Sequence, residues 1–188
     1  TRSAGHQAVG CGGIVDMTRA VRAITPAGVI ETKNTPVTAA GPSMLGQIIG
    51  SEGIYGVITE AVMRVRPLPT TQDYRAILFR NLEDGIVAYR DLMRCVDIHP
   101  SDVCLSDAFE TAAYAVLSHE YHGMRRLTNG LLEQYLKVQG YDLASGSALM
   151  VLGFDGEAGW VAEQWDRVTE MCGDHRGRSL GRAPGHAW

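Results

Sequence analysis

No apolar run in this 188-residue chain approaches the ~20 residues that a membrane-spanning helix needs, and no signal-peptide pattern opens it. A basic block is also missing. Lys and Arg total 17 against 21 Asp and Glu, for a net charge of −4, which argues against a nucleic-acid partner. Cysteine is scarce and scattered: Cys11, Cys95, Cys104 and Cys172 form no CxxC pair, so neither a zinc knuckle nor a disulfide framework is expected. Free thiols of a reducing compartment, and hence a cytoplasmic protein, are the reading that remains. Neither GxGxxG nor GxxxxGK[ST] occurs, which removes the Rossmann and P-loop routes to a nucleotide. No Ser/His/Asp arrangement can be argued from residue order alone.

What is present is ordinary globular composition, 45% hydrophobic and 20% charged, with room for one large domain or two small ones. The chain opens on TRSAG without methionine and stops on a tryptophan, so a segment of a longer protein is expected. Its character changes near the RPLPTTQDYR stretch, and the expected domains are 1–69 and 70–188. In the first, Met17–Thr25 alternates as a strand, PAG turns, and VIET returns. Ser43 caps a short helix, MLGQII, that leads into a glycine turn. In the second, YRAILF reads as a strand. A helix capped by Asn81 follows, with an apolar stripe of Ile86, Tyr89, Leu92, Met93 and Val96. DVCLS is a short strand, and Asp107 caps the helix AFETAAYAVLS. MRRLTNGLLEQYLKV is a further helical candidate, SALMVLGF a buried strand, and GWVAEQWDRVTEMCG a helix closing at Gly173. The class is α+β, ferredoxin-like, with the helices on one face of the sheet.

The segment IIGSEGIYGVITEAVMRVRP concentrates the local signal. Gly50, Gly53 and Gly56 fall within seven residues, and a period-two strand then runs until Pro67. Such glycines either punctuate a tight strand entry or keep the backbone bare where a flat or phosphorylated ligand lies against it. Two histidines, His119 and His122, stand three apart but have no third ligand at suitable spacing, so no metal site is expected. Asp107 and Glu110 read as helix-capping and solvated groups, and His186 and Trp188 as packing residues.

The run GPSMLGQIIGSEGIYGVITEAVMRVRPLP closely resembles the segment that ends the FAD-binding domain of the FAD-linked oxidases, the vanillyl-alcohol-oxidase or PCMH-type fold. TRSAG, AITPAGVIE and AAGPS resemble the alkyldihydroxyacetonephosphate synthase branch of that family. The resemblance extends over essentially the whole chain. It implies the C-terminal part of a PCMH-type FAD-binding domain followed by part of a ferredoxin-like cap (substrate) domain. It also implies FAD as cofactor, touched by Thr1, Arg2, Ser3 and Ala4 and by Glu52, Gly53, Ile54, Tyr55, Gly56, Val57 and Ile58. The family carries an arginine facing substrate in the short cap strand. Here Cys104 stands in its place, and a thiol cannot make a charged bidentate contact. Either the substrate differs or another arginine serves. The family's upstream pyrophosphate loop and downstream Tyr and His motifs have no counterpart here, which leaves the catalytic residues unassigned.

The function expected from this resemblance is flavin-centred chemistry on a small or lipid-linked substrate, with a homodimer possible. Its rivals are oxidation of a 2-hydroxy acid by an FAD dehydrogenase, and a non-catalytic module that keeps the fold.

Overall fold

The protein is described from a computed structural model covering residues 5, 7–35, 40–113, 134–142 and 146–182. It forms two compact units, Thr1–Leu68 and Pro69–Trp188.

The first unit begins with two single-turn helices, α1 (Ala8–Cys11) and α2 (Ile14–Met17), which the sequence patterns do not announce. Strand β1 (Thr18–Thr25) turns through Pro26 and Ala27 into β2 (Gly28–Glu31). The hydroxyl of Thr25 closes that turn, donating to the Gly28 carbonyl at 2.8 Å. Helix α3 (Met44–Ile48) is capped as expected, the Ser43 Oγ accepting from the Gly46 amide at 3.1 Å. Strand β3 (Val57–Met63) then pairs with β1, giving an antiparallel sheet in the order β2-β1-β3. Val21 and Ala23 of β1 bury against Ile48, with Leu45 and Ile30 beside them.

Two expectations for β3 need correcting. The strand stops at Met63 rather than running to Arg66. The plain alternation is also broken by register shifts between Thr18 and Ala20 and between Arg22 and Ala23, where one strand carries a residue with no counterpart. A bulge advances the alternation by one residue, so period two cannot be carried through it. All seven β3 residues are exposed within this unit.

The second unit is a four-stranded antiparallel sheet of β4 (Thr71–Phe79), β5 (Asp102–Ser106), β6 (Ala148–Gly156) and β7 (Arg178–Gly181), in the order β5-β6-β4-β7. Helix α4 (Leu82–Arg94) joins β4 to β5, and α7 (Ala158–Asp174) joins β6 to β7. Helical residues 108–113 (α5) and 134–138 (α6) lie between β5 and β6. The result is the β-α-β-β-α-β arrangement expected of a ferredoxin-like unit. The caps also form as expected: Asn81 Oδ1 accepts from the Asp84 amide at 2.7 Å, and Asp107 Oδ1 from the Glu110 amide at 2.9 Å.

Alternation along β4 assigns its two faces. Ile77 and Phe79, with Met150 and Phe154 of β6, meet α4 and α7 in the main core through Ala88, Leu92, Val161, Trp165 and Val168. Ala76 and Leu78, with Leu149 and Val151, face the other way and are covered by Leu136 and Tyr141. The helices are therefore not confined to one face, because α6 and its following turn lie over the second. The apolar stripe read on α4 is also shifted. Its buried residues are Gly85, Ala88 and Leu92, while Ile86, Met93 and Val96 are exposed. Gly85 explains the shift, since an added Cβ there would sit 3.0 Å from Leu105 and 3.5 Å from Phe79. The helix packs on the side where it has least side chain. Finally, α7 runs to Asp174 with His175 as its cap, one turn position beyond the expected stop at Gly173, and β7 follows without any sequence signal strong enough to name it.

Candidate functional site

The glycine turn between α3 and β3 is built by three successive departures from ordinary backbone. Gly50 has φ +82, Glu52 φ +52 and Gly53 φ +87, all in the left-handed region. Two local hydrogen bonds hold the turn, Ser51 N to Ile48 O at 3.1 Å and Ile54 N to Ser51 O at 3.0 Å. A non-glycine residue held there costs roughly 1–2 kcal/mol, so Glu52 marks a loop whose shape is maintained against its own preference.

The two glycines that follow differ in what surrounds them. At Gly53 nothing lies within 4 Å of where a Cβ would sit, so the bare backbone faces open space. At Gly56 a Cβ would lie 2.2 Å from the Ile24 carbonyl oxygen and 3.1 Å from Thr25 Cα. Gly56 is thus required by the chain's own β1 backbone. Of the two explanations available for glycine clusters, strand entry accounts for Gly56, and an approachable backbone fits Gly53. Ile54 and Tyr55 project outward beside it, 84% and 50% exposed, and Val57 and Ile58 continue that exposed apolar rim. A bare peptide flanked by apolar side chains suits the face of a flat aromatic ring system, so the residues present fit FAD. Thr1 to Ala4, the other expected contacts, lie outside the described residues, as do His119, His122, His186 and Trp188. Among the described residues no group of three potential ligands could hold a metal ion. An open groove of about 540 Å³ beside β1 and β3, lined by Arg22, Glu31, Lys33 and Glu60 among others, takes in none of the expected site residues.

Cys104 sits on edge strand β5, paired with Val151. Val103 and Leu105 point into the core with α4 and α7, so Cys104 faces the opposite side of the sheet, half-buried. Burial raises its thiol pKa above the ordinary value, and the nearby Glu110 charge adds to the rise. It is a neutral thiol rather than a poised nucleophile. Cys172, buried in the main core, has its thiol pushed up to about 12 by burial alone.

Sequence reasoning missed the charged cluster at Asp73. This carboxylate is 2% exposed, and both its oxygens are taken by Arg182, Nε to Oδ1 at 2.9 Å and Nη2 to Oδ2 at 2.9 Å. Arg75 adds a contact to Oδ2 at 2.8 Å and lies over the Trp165 ring, 4.6 Å from its centroid. Burial alone would raise the Asp73 pKa, but the hydrogen bonds and charges of Arg75 and Arg182 outweigh it and hold it below the usual carboxylate value. The only hint in the sequence is that Asp73 and Arg75 occupy alternate strand positions. Their third member lies 109 residues away.

No protein-family model matches the chain. Alkyldihydroxyacetonephosphate synthases of Dictyostelium discoideum and Trypanosoma brucei brucei are both 30% identical over the whole chain. The chain spans only 31% and 30% of their respective lengths. A solved structure of an alkyldihydroxyacetonephosphate synthase superposes with a TM-score of 0.81 at 31% identity, covering 100% of this chain and 33% of that one. A p-cresol methylhydroxylase structure, at 17% identity and a TM-score of 0.55 over 88% of the chain, shares the fold. A D-lactate dehydrogenase of Anaerostipes hadrus is 39% identical over 88 residues, 46% of this chain and 18% of that protein.

The antiparallel sheet of the first unit and the β-α-β-β-α-β sheet of the second match the fold of a segment of the alkyldihydroxyacetonephosphate synthase and p-cresol methylhydroxylase structures. The whole-length similarity to alkyldihydroxyacetonephosphate synthases supports a place in the FAD-linked oxidase family. Its likeness is to the alkyldihydroxyacetonephosphate synthase branch, over about a third of those proteins' length.

Proposed function

We propose that this chain supplies part of the FAD site and part of the substrate-covering domain of an alkyldihydroxyacetonephosphate synthase-like flavoenzyme. On this reading residues 1–69 are the end of the FAD-binding domain and 70–188 are part of the cap. The observation that carries it is the open, left-handed backbone at Gly53 in a loop flanked by outward Ile54 and Tyr55. FAD, when bound, supplies the electron-accepting ring chemistry. This chain's residues bind and orient it: Gly53 presents bare backbone, Ile54 and Tyr55 exclude water, and Thr1 to Ala4 are the further contacts that the resemblance implies. The substrate carries a ketone phosphate, on which an acyl chain is exchanged for an alkyl chain without net redox change. A second reading, oxidation of a 2-hydroxy acid, is favoured by the similarity to a D-lactate dehydrogenase over 88 residues.

The test uses the gene product that carries this chain, purified and reconstituted with FAD. Flavin absorbance should appear at about one equivalent, and Gly53→Val should abolish it, because a branched side chain would occupy the approach to the ring. Incubation with an acyl ketone phosphate and a long-chain alcohol should release fatty acid. Flavin bleaching by a 2-hydroxy acid instead would favour the second reading. Full flavin content in Gly53→Val would show that this glycine serves only the turn.

A further inference from the structure

Two guanidiniums on the second unit have no carboxylate partner among the described residues. Arg80 follows β4, and Arg178, which opens β7, pairs directly with Leu78 two residues earlier on β4. Both therefore stand on the sheet face covered by Leu136 and Tyr141. Each lies over a tyrosine ring from one short stretch of chain. The Arg80 Cζ is 5.4 Å from the Tyr141 centroid, and the Arg178 Cζ is 5.0 Å from that of Tyr135. Gly140, at φ +87, lies against the first, an added Cβ there falling at ordinary contact distance, 3.5 Å from Arg80 Nε. Arg178 donates to the Gln139 side-chain oxygen and, at 3.3 Å, to the Tyr135 hydroxyl, both neutral. Tyr141 is fixed in turn by donating to the Arg176 carbonyl at 2.8 Å.

Among the described residues, the acids nearby in the chain, Asp84 and Asp142, are already engaged. Asp142 pairs with Lys137 at 3.6 Å, and Asp84 pairs with Arg176 at 3.8 Å while taking the helix-cap contact from Asn81. Elsewhere in the unit arginines meet carboxylates closely, as Arg90 does with Asp91 and Arg167 with Glu163. The hydrogen bond and charge of Arg178 also pull the Tyr135 phenol below its ordinary pKa, as expected in a local positive field.

We infer that this face is an oxyanion-binding site for a phosphate monoester, gripped by Arg80 and Arg178 with the Tyr135 hydroxyl as an additional donor. A guanidinium held over an aromatic ring loses less freedom when it binds and can still offer several N–H donors, Arg80 in particular, which suits contact with phosphate. Two positive charges without a carboxylate partner among the described residues match one dianion. The assignment stands apart from the flavin reading, because none of its residues belongs to the glycine turn.

The experiment titrates inorganic phosphate into the 188-residue chain by calorimetry at constant ionic strength, with chloride as control. Saturable phosphate binding is expected, weakened about tenfold or more by Arg80→Gln and by Arg178→Gln, each of which leaves the far-ultraviolet circular dichroism unchanged. Arg90→Gln, at an arginine already paired with Asp91, should leave it within about twofold. Phosphatidic-acid vesicles, compared with phosphatidylcholine vesicles, identify the source. Binding to both phosphate and the acidic vesicles supports the site as one for a lipid headgroup, and binding to phosphate alone supports it as one for a soluble ester. No saturable phosphate binding, or equal weakening by Arg90→Gln, overturns the inference.

Discussion

Replacing Gly56 by alanine separates what the fold requires from what a ligand requires. The new Cβ would lie 2.2 Å from the Ile24 carbonyl oxygen, against a real contact limit of about 3 Å, so β1 and β3 must move apart by nearly an ångström. The displaced groups adjoin the Ile24 and Val57 pair, where the ladder begins. Losing one or two ladder hydrogen bonds at ~1 kcal/mol each, with overpacking of ~1–3 kcal/mol, gives a destabilisation of about 2–5 kcal/mol. Gly53→Ala meets nothing within 4 Å and costs only the left-handed preference, about 1–2 kcal/mol. Hydrogen exchange by mass spectrometry reads both. In Gly56→Ala, peptides spanning β1 and β3 should exchange roughly thirty- to several-thousand-fold faster, or at the rate of full unfolding of the unit. Peptides from β4 and β6 serve as the unchanged internal standard. Unaltered protection of β1 and β3 in Gly56→Ala would refute the claim that this glycine is demanded by the backbone opposite it.

Asp73→Asn should lower stability at neutral pH by ~2–3 kcal/mol, less than the ~3–5 expected of a wholly buried pair because Arg182 is largely exposed. That is a midpoint shift of about 1 M in urea, read by tryptophan fluorescence. The folded pKa of Asp73 is depressed, so its contribution is complete above the unfolded value of ~3.9 and is lost as pH falls through the folded one. The wild-type advantage should therefore shrink on acidification below about pH 4, and a gap that persists unchanged would contradict the assignment. Cys104→Arg should fold with a penalty below about 1 kcal/mol, since the side chain leaves a half-buried edge-strand position toward Glu110 and water. Recovery of only unfolded protein would place Cys104 in a closed core and remove it from consideration as a substrate-facing residue.

Local chemistry was legible in the sequence wherever it depends on neighbours in the chain. Ser43, Asn81 and Asp107 cap their helices because each cap reaches an amide only three residues on. The strands from Thr18, Thr71 and Ala148 follow their apolar patterns, and the GSEG-x-x-G run pointed to the relatives to which the whole chain is similar. What the sequence left open are distinctions that depend on residues far along the chain. Gly53 and Gly56 look alike in sequence, and only the β1 carbonyl at Ile24, brought in by strand pairing, makes one structural and leaves the other bare. The α4 face was misread because apolar side chains mark it less than Gly85 does, the point where Leu105 and Phe79 press closest. Asp73 meets Arg182 across 109 residues, and Arg80 and Arg178 come to one face only through the pairing of β4 with β7. Periodicity reports which side of an element is apolar; tertiary packing decides which charges and glycines meet, because those contacts are set by strand order and register rather than by spacing along the chain.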